Sequence, residues 1–266
     1  MADRALLMGL NTYRGAPLAG CVNDVMDMAK FITSSSLKFD PAAIRMITDD
    51  RATGKAMDER LEWAVTDLHP GDRLLVQFSG HGAQVATRNP KGEVDGLDEV
   101  LCGIDFNWED GTMIRDKRLY ELFGRIPEGV LAVFISDSCH SGDLTRDISK
   151  LGYRTPRTYP APVDIRWQNE TAKMKGLSIN ETPYPNIVLI SGCRPDQTSA
   201  DALFGGRPSG AFTHFLLKTL GSQDGLKVPL TEIVDRVRSE LVRNSFTQVP
   251  QLEGPPTMLS RAFFGS

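Results

Sequence analysis

Long apolar runs are missing from this 266-residue chain. The longest, Val130–Ile135, falls far short of the ~20 residues that an apolar helix needs to cross a bilayer. An excess of positive charge is missing as well. Against 34 Asp and Glu stand 30 Lys and Arg, a net charge of −4, which argues against a nucleic-acid binder. Cysteine is scarce. Cys21, Cys102, Cys139 and Cys193 lie far apart with no C-x-x-C pair, so neither a disulfide framework nor a zinc ribbon is expected. The apolar stretch Ala5–Leu10 is too short for the core of a secretion signal. These absences predict a cytoplasmic protein with reduced thiols and no membrane partner. Repeats and low-complexity tracts are also absent, and with four residues before the first expected strand no pro-domain is expected.

What is present is a globular composition, 41% hydrophobic and 24% charged. A chain of this length buries roughly three-quarters of the surface its unfolded form exposes, enough for a core without a disulfide or metal staple. Short branched-apolar runs alternate with helical periodicity, the pattern of a layered α/β domain with a mainly parallel sheet. Strands are expected at Ala5–Gly9, Ile44–Thr48, Arg73–Phe78, Val130–Ser136 and Asn186–Ser191. Val22, Val25, Ala29 and Ile32 recur at helical spacing, as do Met57, Leu61, Ala64, Val65 and Leu68. Later helices are predicted over Ala211–Leu220 and, with Thr231 as N-cap, over Glu232–Arg243. The stretch Gln248–Leu259 carries three prolines and belongs at an edge or in loops. Asp147–Asn180 has no sustained apolar period and six basic residues against three acidic ones, which reads as a long functional loop.

Two strands end in unusual sequences. One breaks into Ser79-Gly80-His81-Gly82, the next into Ser136-Asp137-Ser138-Cys139-His140-Ser141-Gly142. In open α/β sheets ligands bind outside the carboxyl ends of the strands, so His81 and Cys139 are expected on one rim. A thiol with a pKa near ~8.5 is a poor nucleophile at neutral pH until an imidazole takes its proton, and that imidazole then protonates a leaving amine. The N–H groups of Gly82 and Cys139 are candidates for an oxyanion hole. Read alone, His81 is a core histidine and Cys139 a small buried hydrophobe; the flanking glycines and the position outside the apolar run favour the catalytic pairing. Cys21, Cys102 and Cys193 read as packing residues. His140, adjacent to the nucleophile, is poorly placed as its base, and His214 reads as structural.

The pair S-G-H-G and D-S-C-H-S-G, separated by 139 − 81 = 58 positions, resembles the caspase-like peptidases and, within them, the metacaspases and their prokaryotic relatives. The resemblance extends to Gly20-Cys21-Val22-Asn23-Asp24, Asp95-Gly96-Leu97-Asp98-Glu99, Ile190-Ser191-Gly192-Cys193 and Asp196-Gln197-Thr198-Ser199-Ala200. It implies one caspase-like domain over 1–266, with a six-stranded, mostly parallel sheet sandwiched between helices. Residues 1–146 would be large-subunit-like, 147–180 a basic linker and 181–266 small-subunit-like. It also implies a cysteine endopeptidase acting, as a monomer, on protein or peptide substrates.

Animal caspases carry glutamine two positions before the nucleophile; here Asp137 stands there. By similarity to metacaspases, Asp24 and Asp137 would line the primary pocket with Ser79 beside them. Carboxylates in a partly dry pocket favour Arg or Lys and repel aspartate. Metacaspase-like enzymes cut themselves between their two regions, and the basic loop offers Lys150, Arg154, Arg157, Arg166, Lys173 and Lys175. The dyad itself requires no cofactor. Many metacaspases need calcium, for which Asp95, Asp98 and Glu99 are candidates, yet Arg115 precedes Asp116 and Arg146 lies near where another acidic ligand would be expected, and a cation there opposes calcium. Two other classes compete: a catalytically idle relative serving as a binding or regulatory module, and a metal-dependent hydrolase, disfavoured because no ligand pair has a metal spacing.

Overall fold

The computed structural model describes residues 2–87, 96–139, 154–173, 186–194 and 197–265. Strands β1 (Asp3–Gly9), β3 (Arg73–Ser79) and β7 (Leu131–Asp137) are nearly continuous apolar runs because both of their faces are covered, whereas β2 (Ile44–Thr48), at the sheet edge, fully buries Ile47 alone. They join β9 (Val188–Ser191) and β12 (Gln251–Glu253) in a six-stranded sheet of order β12-β9-β7-β3-β1-β2. All pairings in it are parallel except that of the edge strand β12 with β9. Proline brackets β12, and its place at the edge is the one such a strand tolerates.

Alternation along the strands splits the core in two. Leu6, Met8, Leu74, Val76 and Phe78 meet helix α2 (Gly54–Val65) and α3 (Asp116–Phe123). Ala5, Leu7, Leu75, Val133 and Ile135 meet α1 (Cys21–Ser34), α5 (Ala211–Leu220) and α6 (Leu230–Arg243). Two three-stranded sheets stand outside this sandwich. One is β4 (Gly82–Ala86), β5 (Leu97–Cys102) and β6 (Met113–Arg115). The other is β8 (Thr155–Pro156), β10 (Ala200–Phe204) and β11 (Arg207–Gly210).

The main strands and helices fall where apolar periodicity put them, and three expectations are corrected. Thr231 lies inside α6, whose N-cap is Pro229. The closing stretch holds a short helix, α7 (Pro256–Leu259), beside β12. Within the expected loop 147–180, the described part contains β8 and helix α4 (Val163–Lys173). Helix α4 escaped notice because Val163 and Trp167 are exposed, so it shows the core no apolar stripe. No helix among the described residues is long and apolar enough to cross a membrane.

Candidate active site

Strands β3 and β7 run parallel with Ser79 opposite Asp137, so both chains leave the sheet at one level. Two residues beyond each lie His81 and Cys139, both buried. Between them passes the segment Arg154–Tyr159 of the same chain. The Arg157 carbonyl accepts the N–H of Gly82 and the N–H of Cys139, each at 3.1 Å. These are the two donors expected to hold an oxyanion.

The segment lies in the groove as an added strand. The Arg157 N–H donates to Ser199 O at 3.1 Å, and Thr155 and Pro156 pair antiparallel with Asp201 and Ala200. On the other side Tyr159 N–H donates to Gly82 O at 2.9 Å. Arg154 reaches the end of α6, where the Ser245 and Asn244 carbonyls accept at 2.5 and 3.1 Å and the Phe246 ring lies 3.9 Å beneath its guanidinium. A cation suits a helix carboxyl end and an aromatic face.

The Arg157 side chain is wholly buried. Its Nη2 donates to Asp24 Oδ2 at 2.6 Å and to Asp201 Oδ1 at 2.8 Å. Its Nη1 donates to Asp137 O at 3.1 Å and lies 3.2 Å from Asp137 Oδ2. Burial alone would lower the pKa of this guanidinium; Asp137, Cys21, Asp24 and Asp201 outweigh it and raise it well above the ordinary value. Each acid is anchored in turn. Ser209 and Gly210 hold Asp24, Ser199 and Thr213 hold Asp137, and the Ala19 and Gly20 amides hold Asp201. Asp201, the third acid of the pocket, gave no signal in the sequence beyond following Ser199-Ala200. Ser79 does not reach Arg157: its hydroxyl takes a hydrogen bond from Gln77 at 3.3 Å, because it sits inside the strand below the pocket.

The His81 ring is oriented from behind. Nε2 lies 2.7 Å from Ala16 O, a contact only an N–H donor makes, so Nδ1 carries the lone pair of the neutral ring. Nδ1 is buried with no hydrogen-bond partner. Tyr13 packs 4.6 Å from the ring, accepts the His81 N–H at 3.1 Å and donates to Cys102 O at 3.0 Å. Burial pulls the His81 pKa down to about 4. Cys139 Sγ accepts the Ser199 N–H and faces Ser199 O at 3.4 Å. The backbone N–H groups of Gly82 and Cys139 thus share one carbonyl, while the thiol contacts Ser199 and is not hydrogen-bonded to the imidazole. Cys193 lies beside Cys139; that neighbouring thiol, then burial, pushes the Cys193 pKa well up.

The calcium candidates fare differently. Asp98 is buried with Arg115 on one oxygen at 2.5 Å and Lys117 on the other at 2.6 Å. Each carboxylate oxygen of Asp98 is thus engaged by a basic side chain. Asp95, like His140, Lys150 and Lys175, lies outside the described residues. Among the described residues no group of three or more His, Cys, Asp or Glu side chains is arranged to hold a metal.

A family model described as the caspase domain matches residues 2–263. Metacaspase-2 of Trypanosoma brucei brucei is 32% identical over 263 residues, spanning 94% of this chain and 72% of its own. Metacaspase-1 of Saccharomyces cerevisiae is 29% identical over 290 residues, spanning 94% and 65%. A crystal structure of a Geobacter sulfurreducens protein superposes with a TM-score of 0.70 at 26% identity, covering 100% of this chain and 99% of that one. Caspase-1 from Spodoptera frugiperda shares the fold alone, with a TM-score of 0.60 at 15% identity over 99% and 90%. A whole-length match to one domain, together with metacaspase relatives across nearly the full chain, places this chain in the caspase domain family as a metacaspase-like cysteine endopeptidase.

Proposed function

We propose that this endopeptidase cleaves after arginine through a Cys139–His81 dyad, and that its own Arg157–Thr158 bond is a substrate. The observation that carries the reading is Arg157 itself, with its guanidinium among three buried carboxylates and its carbonyl on two backbone donors. A guanidinium held this way, with its carbonyl on both donors, supports Arg157 as the residue preceding a scissile bond, and lysine, a point charge, would satisfy fewer of the three acids.

The steps follow from the atoms present. Nδ1 of His81 takes the thiol proton, and Sγ of Cys139 bonds to the Arg157 carbonyl carbon. Negative charge moves to the oxygen already facing the Gly82 and Cys139 N–H groups. The bond to the Thr158 nitrogen breaks as Nδ1 returns its proton to that amine. Water then hydrolyses the thioester, giving the Arg157 carboxylate and restoring the thiol. None of these steps uses a metal. The cut would leave His81, Cys139, Asp24 and Asp137 on one fragment and Ser199 and Asp201 on the other, held together by the sheet.

Intact-mass measurement of wild type and Cys139→Ala after incubation tests self-cleavage, with fragments ending at Arg157 expected only from wild type. Reporters ending in Arg, Lys and Asp test the pocket. Turnover of the Asp reporter alone, or an uncut chain in both proteins, would overturn the reading.

A further inference from the structure

On the leaving-group side of the Arg157–Thr158 bond, Tyr159 is set into a ring of aromatic side chains. Its centroid lies 5.2 Å from Phe106, 5.5 Å from His81, 6.0 Å from Tyr13 and 6.2 Å from Trp108, all at angles between 70° and 86°. Edge-to-face geometry of this kind is the favoured aromatic arrangement, and it repeats four times around one side chain. The Tyr159 hydroxyl completes the fit by donating to Arg14 O at 2.6 Å. The backbone is fixed too, since Tyr159 N–H donates to Gly82 O, one residue beyond His81.

The walls of this recess belong to the enzyme body. Tyr13 and Phe106 are core residues. Trp108 is held with φ +72, a left-handed conformation that a bulky residue rarely adopts and that costs on the order of 1–3 kcal/mol. Asn107 and Thr112 brace that turn through Glu109, whose N–H donates to Asn107 Oδ1 at 3.0 Å and whose carbonyl accepts from Thr112 Oγ1 at 2.6 Å. Strain that surrounding bonds enforce, and that aims an indole at the groove, is what a recognition site requires.

We infer that Tyr13, Phe106, Trp108 and the Arg14 carbonyl form a subsite for an aromatic residue two positions after the scissile bond. Peptide and protein substrates would then be selected on both sides of the cut, by arginine before it and by tyrosine or phenylalanine beyond it. The inference rests on the arginine-directed reading above. Once the cut at Arg157 frees the Thr158-Tyr159 end, the recess is available to incoming substrates.

The test uses the self-processed full chain and internally quenched peptides Arg-Thr-Pro-Arg-Thr-X with X as Tyr, Phe, Ala or Asp. An Arg-Thr-Pro-Arg-aminocoumarin reporter, which has no residue beyond the cut, runs alongside. We expect kcat/KM about tenfold higher for Tyr and Phe than for Ala or Asp, with Phe slightly below Tyr for want of the hydroxyl bond. In Trp108→Ala the Tyr-to-Ala ratio should fall towards one, and as a ratio within one enzyme it is insensitive to partial misfolding. Equal rates for all four peptides with good coumarin release overturn the subsite alone. Failure to hydrolyse the coumarin reporter as well overturns the arginine reading, and the subsite falls with it.

Discussion

Asp24 Oδ2 and Arg157 Nη2 lie 2.6 Å apart in a pocket closed to solvent. Burial pushes the Asp24 carboxyl up to about 6, the nearby Asp137 charge adds to the rise, and Arg157 with the Ser209 hydroxyl restrains it. Above that pH Asp24 is ionised and attracts a guanidinium. As pH falls through about 6 it takes up a proton and the attraction weakens. The value of about 6 belongs to the arginine-occupied pocket, so kcat for arginyl reporters should decline on the acid side with a midpoint near 6, and kcat/KM, which reports the empty pocket, should decline from a higher pH. Asp24→Asn should lower the plateau and remove this limb. His81, drawn down to about 4, titrates below that window. An acid limb unchanged in Asp24→Asn speaks against the assignment.

Gly210 makes the pocket fit a planar group. A Cβ there would come within 2.3 Å of Asp137 Oδ2 and 2.7 Å of Arg157 Cζ. Its φ of −63 and ψ of 130 suit any residue, so alanine meets no backbone strain. Asp137 has no room to yield because Ser199 and Thr213 hold both of its oxygens. Gly210→Ala should therefore fold and lose at least about 100-fold in kcat/KM on arginyl reporters, equivalent to about 3 kcal/mol of lost charged hydrogen bonding. Steady-state kinetics beside a melting curve check both halves.

Much of this was legible in the sequence, for stated reasons. Strands buried on both faces must be continuous apolar runs, which put β1, β3 and β7 almost in place, and shorter apolar stretches marked β2 and β9. The two strand-end motifs carried His81, Cys139, Gly82 and Asp137 to one rim. The rest depends on contacts with no local signature. Asp201 enters the pocket only through the pairing of β8, β10 and β11. The antiparallel hairpins β4–β5 and β10–β11 are short and polar-edged, so alternation did not reveal them. Arg157 was one of six basic residues in its segment, and nothing short of the folded groove singles it out.

Calcium should have little effect on this enzyme. Asp98, one of the three candidate ligands, holds Arg115 and Lys117 on its two oxygens; burial raises its pKa, and Lys117, Thr87 and Arg115 outweigh that and lower it. An incoming divalent ion would have to displace both side chains inside the protein. Self-cleavage and reporter turnover in chelator should match those at millimolar calcium within about twofold, whereas a calcium-assembled site of carboxylates is lost on chelation. A tenfold or larger dependence would place the ion on residues other than Asp98.

The pocket also makes a prediction about stability, measured in Cys139→Ala so that the chain stays intact. Removing one partner from a buried ionic cluster leaves uncompensated charge, at a cost of about 3–5 kcal/mol. Adding Arg157→Ala strands Asp24, Asp137 and Asp201 together, so the double variant should melt well below Cys139→Ala near pH 8. The sign with pH follows from Asp24. Its carboxyl is raised above the unfolded value of 3.8 even with Arg157 present, and Arg157 acts to lower it. Without the guanidinium it rises further, so the folded state binds a proton that the unfolded state does not hold until pH 3.8. Lowering the pH from 8 towards 5 should then stabilise the double variant relative to Cys139→Ala and narrow the gap in Tm. A gap that stays constant or widens as the pH falls would mean that Arg157 is not what keeps these three acids together.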